Sequence, residues 1–206
     1  MSGFSRAYPA VAARADARGA AGHRQRLLAG LAGRVIEVGA GNGRNFAHYP
    51  DAVTAVLAIE PDPTLRGAAR DAARGAPVPV TVLDGVADAL PGADGEFDAG
   101  VCSLVLCSVP DQARALAELR RAIRPGGELR FYEHVLSDRQ PLRAVLQLAD
   151  RTGFWPRVAA GCHLARDTGA AIAAAGFVIE RCERFGFRTV AVEPRLTYIL
   201  GIARRP

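Results

Sequence analysis

The sequence predicts a single α/β domain built on an open, mostly parallel sheet of seven strands with helices on both faces. Three observations carry that prediction. Short apolar runs rich in β-branched residues, Val35, Ile36 and Val38 first among them, suit strands covered on both faces. Between positions 34 and 134 such runs alternate with segments of helical spacing, the order expected of a parallel sheet. Near the C-terminus two strand-like runs, 177–188 and 196–204, follow each other across a turn at Pro194, as in an antiparallel hairpin that closes the sheet.

Length and composition agree with one domain. The chain has 206 residues, of which 50% are apolar, enough for one ordinary core and too few for two. The net charge of +5 rests on arginine alone, since no lysine occurs, and the arginines are scattered instead of striped. No nucleic-acid partner is therefore expected. Cys102, Cys107, Cys162 and Cys182 have no C-x-x-C spacing, so neither a metal site nor a disulfide framework is expected. The N-terminus shows no apolar leader, and the longest apolar run, 101–109, is well short of the roughly 20 residues a membrane span needs. The expectation is a cytoplasmic protein with no transmembrane segment.

The chain is organised around residues 35–45. A buried strand runs into glycines at 39, 41 and 43, which let the backbone turn sharply and approach a ligand without an intervening Cβ. A helix start after the turn is expected to offer unpaired N–H groups and a positive dipole end. The spacing is G-x-G-x-G preceded by Glu37, and Arg44 stands where the dinucleotide pattern G-x-G-x-x-G would place its last glycine.

Later elements take their meaning from that turn. Residues 1–33 are expected to form a helical cover, with a helix near 23–31 over the mouth of the turn; Phe4 and Tyr8 either lie over a ligand or simply pack. After a short helix at 45–49, the second strand, Val53–Ile59, delivers Glu60, 17 residues beyond Gly43. Its two oxygens can accept both hydroxyls of a ribose at the carboxyl edge of the sheet. A helix started by Pro61-Asp62-Pro63 and running through about Arg74, and a third strand, 77–83, lead to an acidic loop, 84–91. Asp98 opens the fourth strand, 99–106, with Cys102 and Ser103 near its end. Asp111 is a good N-cap for a helix whose buried stripe is Leu116, Leu119 and Ile123, stopped by Arg124-Pro125-Gly126-Gly127. The fifth strand, 128–132, ends in Glu133-His134-Val135.

Residues 135–166 differ in kind. Leu142, Val145, Leu146 and Ala149 share a helical face expected to pack on the domain, and Trp155, the chain's one tryptophan, precedes Gly161-Cys162-His163. This insertion reads as a cap over a substrate pocket. Residues 167–206 then supply the last helix and the closing hairpin.

The E-x-G-x-G-x-G turn, Glu60, the acidic loop, the Asp98 strand and the R-P-G-G stop together resemble the class I S-adenosylmethionine (SAM) methyltransferases, over about residues 34–134. Asn45-Phe46 with Tyr49-Pro50, the run 102–109, Glu133-His134-Val135 and Gly161-Cys162-His163-Leu164 resemble, more narrowly, the methyltransferase-like alkyl-thiol S-methyltransferases, with a departure at His163. The resemblance implies a Rossmann-like sheet, SAM as cofactor and S-adenosylhomocysteine as product, and a small-molecule acceptor. It implies a cofactor site at Glu37, Gly39, Ala40, Gly41, Asn45, Glu60, Pro61, Asp84, Val86, Ala87, Cys102 and Ser103, in which Val86 replaces the usual aspartate and either Asp84 or Asp88 reaches the adenine amino group.

For the chemistry, a thiol with pKa about 8.5 is already a few per cent thiolate at neutral pH. It needs only a weak base or a favourable field. His134 and His163 are the candidate catalytic residues, because imidazole titrates nearest neutrality. The leading expectation is methyl transfer to a thiol. The alternatives are a lipid or quinone-precursor acceptor, and a SAM-binding regulator without catalysis.

Overall fold

The computed structural model describes residues 3–158, 161–189 and 195–206. Seven strands form one sheet in the order β3-β2-β1-β4-β5-β7-β6. They are β1 Gly33–Val38, β2 Val53–Ile59, β3 Val80–Leu83, β4 Phe97–Ser103, β5 Ile123–Val135, β6 Val178–Phe187 and β7 Leu196–Arg204. The first five run parallel to one another, whereas β7 runs antiparallel to both β5 and β6. The order reverses beside β1, between its neighbours β2 and β4, and in open α/β sheets a crevice for ligands opens at such a point.

Alternation along β1 shows why the sheet is covered twice. Val35 belongs to one apolar cluster, with Leu27 and Leu28 of helix α2 (Ala21–Leu28) and Ala69 of α3 (Pro63–Ala73). Ile36 and Val38 belong to the other, with Leu116 and Leu119 of α4 (Gln112–Ala122) and, beyond the cap helices α5 (Leu142–Arg151) and α6 (Phe154–Val158), Ile172 of α7 (Thr168–Ala174). The N-terminal helix α1 (Gly3–Ala15) and a π-helical turn, Asp16–Ala20, precede α2. Gly19 makes that kink at φ 123°, a conformation open to glycine.

Side-chain caps set three helix starts, among them the one at Asp111 that the sequence named. Asp62 accepts from the N–H groups of Thr64 and Leu65, Asp111 from Arg114 and Asp167 from Ala170. Asp98, at the opposite edge from the crevice, accepts the N–H of Arg34 at 2.8 Å and Nε of Arg124 at 2.7 Å, tying the starts of β1, β4 and β5 together. Both donors hold its carboxyl below the ordinary aspartate range, the Arg124 hydrogen bond foremost.

Three expectations need correction. No α-helix follows the glycine turn: residues 46–48 make one 3₁₀ turn, which Pro50 cannot extend, so no helix dipole bears on the ligand. Strand β5 is longer than expected and begins at Ile123, carrying the R-P-G-G stretch within it. On α5, Leu146 is buried but Val145 is 59% exposed, and so the anticipated face packs only in part. The turn about Pro194 and the side chain of Phe4 lie outside the described residues.

Candidate active site

Parallel register brings the candidate residues to one edge. Val38 is level with Ile59 on one side and Cys102 on the other, so Gly39, Glu60 and Ser103 leave their strands together. They border a cleft of about 420 Å³, within the range of roughly 300–1,000 Å³ typical of small-molecule sites. Val38, Ile59, Leu65, Val86, Val109 and Pro110 give it apolar walls, and Asp62, Asp88 and Asp111 add carboxylates. Tyr8 and Ser5 of α1 cover one side, with Ser5 Oγ hydrogen-bonded to Asp62.

The glycine turn works differently from the cradle the sequence suggested. Gly39 and Ala40 both donate their N–H groups to the Ile59 carbonyl, at 2.8 and 3.0 Å. Gly41 donates to Glu60 Oε2 at 2.7 Å, and Asp62 donates to Oε1 at 2.9 Å. The turn therefore offers a surface without side chains, not a set of unpaired donors. A Cβ on Gly39 would stand 2.4 Å from Val105, and one on Gly41 would meet the Tyr8 ring at 3.1 Å. Burial pushes the Glu60 carboxyl above its ordinary range, against the pull of those two N–H donors. Two of the carboxylate's roughly four acceptor positions are used; the others remain for a ligand.

Glu37 does not line the cleft. It is buried beneath the turn, where it accepts Tyr49 Oη–H at 2.7 Å and Asn45 Nδ2 at 2.9 Å. Burial raises its carboxyl to about 7, and the two donors pull the other way. Asn45 in turn accepts from Arg24 at 3.1 Å, and the same guanidinium reaches Ser103 Oγ at 3.1 Å and Asp16 at 3.2 Å. This buried network locks α2 and the π-helical turn onto the ends of β1 and β4. The sequence reading missed Arg24, one of many arginines in a helical stretch with no motif to distinguish it.

Of the other expected contacts, Pro61, Val86, Ala87 and Ser103 line the cleft. The Asp84 side chain does not; it is 70% exposed and paired with Arg66 at 2.9 Å, while Asp88 lies on the cleft wall. Ala40 and Asn45 stand behind the wall. The Cys102 side chain is fully buried in the core, where burial, followed by Glu133 and Glu37, pushes its thiol well up.

A second assembly forms where the cap meets the sheet. After β4 the chain turns at Leu104, whose φ of 62° is left-handed and costly for a residue with a Cβ. The Leu104 N–H donates to the Tyr132 carbonyl at 2.7 Å. The next three N–H groups, of Val105, Leu106 and Cys107, all converge on the buried Glu133 carboxylate at 3.0, 3.0 and 3.2 Å. Beside it, His134 turns Nδ1 to Cys162 Sγ at 3.5 Å and Cys107 Sγ at 4.0 Å, while its Nε2 is buried without a partner. His163 donates its backbone N–H to the Cys107 carbonyl at 2.8 Å, and its Nδ1 meets Asp150 at 3.1 Å. Neither histidine side chain lines the cleft, though the residues after Cys107, Ser108 and Val109, do.

Comparison with known proteins decides the family. Residues 36–131 match a methyltransferase domain family. Thiol S-methyltransferase TMT1B of Mus musculus is 34% identical over 155 residues, 73% of this chain. The chain belongs to the class I SAM-dependent methyltransferases. It spans 63% of the length of that mouse relative. A demethylmenaquinone methyltransferase of Renibacterium salmoninarum is 38% identical over 112 residues, 54% of this chain and 46% of the relative. A solved SAM-dependent methyltransferase from Thermotoga maritima superposes with TM-score 0.69 at 20% identity, covering 98% of both chains, a likeness of fold.

The cleft fits the family's cofactor on its own terms: a carboxylate with acceptor capacity at a strand end, a turn that a Cβ would fill, and apolar walls of adenine-binding character. Among the described residues no helix is long and apolar enough to cross a membrane.

Proposed function

We propose that the protein transfers the methyl group of SAM to a thiol of a small molecule. The observation that carries the choice of acceptor is the 34% identity, over 73% of this chain, to a relative named as a thiol S-methyltransferase. When bound, SAM supplies an electrophilic methyl group on a sulfonium, which a thiolate takes in line to give a thioether and S-adenosylhomocysteine.

The residues of the chain bind and orient. Glu60 receives the ribose hydroxyls on its remaining acceptor positions, and its N–H partners keep it fixed while it does so. Asp88 and the Ala87 N–H serve the adenine edge, between the apolar side chains of Ile59, Val86 and Val109. Gly39 and Ser103 border the methionine end, with Arg24 holding Ser103 from behind. Alignment of the reacting groups contributes on the order of 7–11 kcal/mol, so proton removal can be modest. Both candidate bases stand off the cleft, His163 held by Asp150 in the cap and His134 turned to the sulfurs of Cys107 and Cys162, so this reading assigns the thiol proton to neither.

One observation favours a second acceptor class. Val145 and Leu148 of α5 are 59% and 64% exposed, an apolar surface on the cap that suits a lipid or quinone precursor, and the Renibacterium relative is named for such a substrate. Labelled SAM offered with small thiols, phenols and quinols separates the two. Label transferred to thiols supports the first reading; label found in quinols alone replaces it with the second.

A further inference from the structure

Cys107, His134 and Cys162 come from three separate stretches of chain, the loop after β4, the end of β5 and the cap, yet their ligand-type atoms all lie within 4.8 Å of one another. Both cysteines are buried and free, with no disulfide between them. In a tetrahedral zinc site, bonds of about 2.3 Å to sulfur and 2.0–2.1 Å to nitrogen put neighbouring nitrogen and sulfur ligands about 3.6 Å apart. The His134 Nδ1 distances to Cys162 and Cys107, 3.5 and 4.0 Å, bracket that spacing.

The arrangement is also held from outside. Cys107 is fixed through its backbone N–H on Glu133 and through its carbonyl on the N–H of His163, so the segment bearing Cys162 and the loop bearing Cys107 cannot drift apart independently. Two thiolates and an imidazole are the donor set that selects zinc among the common divalent ions.

We propose that Cys107, His134 and Cys162 bind one Zn²⁺, which clamps the cap to the carboxyl end of the sheet. On binding, each thiol releases its proton to solvent and bonds through sulfur, and His134 bonds through the Nδ1 lone pair. No electron changes hands, and two thiolates balance the charge of the ion. Three protein ligands leave the fourth position of a tetrahedral ion to a ligand from outside the trio, the pattern of zinc sites that take part in chemistry.

The test is metal binding by the full chain, purified under reducing conditions, stripped with a chelator and titrated with Zn²⁺ against a chromophoric competitor, with no SAM or acceptor present. A failure here is thereby kept distinct from any failure of methyl transfer. The expected result is stoichiometric binding, weakened at least about a hundredfold in Cys107→Ser, His134→Ala and Cys162→Ser, since even an outer partner of a metal ligand is worth 10–100-fold. Co²⁺ in place of Zn²⁺ should give thiolate-to-cobalt charge-transfer absorption and tetrahedral d–d bands. Circular dichroism shows which variants fold, and the wild-type cobalt spectrum decides the matter if the cysteine variants do not. No charge-transfer band, affinity unchanged in folded variants, or a Cys107–Cys162 disulfide formed in preference to metal binding would overturn the proposal.

Discussion

Glu60 Oε2 accepts the Gly41 N–H at 2.7 Å, so the carboxylate at the end of the second strand also fixes the glycine turn at the end of the first. On the proposed reading, ligand recognition and turn geometry share this one side chain. Glu60→Ala removes the proposed ribose acceptor and releases two N–H groups, of Gly41 and Asp62. Hydrogen bonds to a charged group contribute about 1.5–3 kcal/mol each. Loss of one alone weakens SAM affinity roughly tenfold or more, and loss of both at least a hundredfold. Calorimetry with SAM and with S-adenosylhomocysteine measures this directly; an unchanged Kd would remove Glu60 from the site. Burial already raises this carboxyl, so affinity is expected to fall as pH drops into its titration range.

Gly39 tests the turn from the other side. It sits at φ 66°, and a Cβ there would lie 2.4 Å from Cγ2 of Val105. The left-handed conformation costs about 1–2 kcal/mol for an alanine, and overpacking a further 1–3 kcal/mol or so. Gly39→Ala is therefore expected to lower unfolding stability by roughly 2–5 kcal/mol. Adding Val105→Ala should restore the steric part and leave the backbone part. Urea denaturation of the single and double variants separates the two; full recovery in the double variant would mean that the backbone conformation costs nothing here.

The strands, their order along the chain and the place of Glu60 at the edge of the cleft were legible because each rests on local chemistry. Val35, Ile36 and Val38 announce a doubly covered strand, and Glu60 follows a strand at a fixed edge. The antiparallel closing strands were legible for the same reason. What local pattern could not show was which polar groups would meet across long separations. Arg24 finds Ser103, 79 positions away, and Cys107 finds Cys162 through the fold of the cap. The C-x-x-C rule failed to flag that cysteine pair because its geometry is made by three distant segments, whereas the rule reads one. Asp84 and Asp88 were indistinguishable in sequence; the fold separates them, with Arg66 drawing Asp84 away and Asp88 left on the cleft wall.

Glu133 is a further case of a residue whose role depends on distant partners. Its buried carboxylate takes three consecutive N–H groups, of Val105, Leu106 and Cys107, and so shapes the loop that passes from β4 to the cleft wall. Glu133→Leu would leave those donors buried without acceptors, at about 1–3 kcal/mol each. A loss of roughly 3 kcal/mol or more in unfolding free energy is expected, and Glu133→Gln, which keeps one oxygen, should lose less. Chemical denaturation checks the ranking. Equal stability of Glu133→Leu and wild type would show that the loop finds other acceptors.

Glu37 makes the pH dependence of the fold specific. Its folded-state pKa is about 7, above the 4.5 of an unperturbed glutamate, because burial outweighs the hydrogen bonds from Tyr49 and Asn45. The folded chain therefore holds this proton more tightly than the unfolded chain does. Below pH 4.5 both states are protonated and the group imposes no penalty. As pH climbs from there through about 7, the unfolded chain ionises first, and the folded state loses stability until its own carboxyl ionises. A separation of this size corresponds to roughly 3 kcal/mol, at 1.36 kcal/mol per pKa unit. Glu37→Gln cannot ionise, so the stability difference between it and wild type should shift in favour of the variant across that window and stay level on either side. Unfolding free energies of both proteins measured from pH 4 to pH 9 give the difference curve. A flat curve would mean that Glu37 stays ionised at neutral pH, held by Arg24 through Asn45 more strongly than burial opposes it.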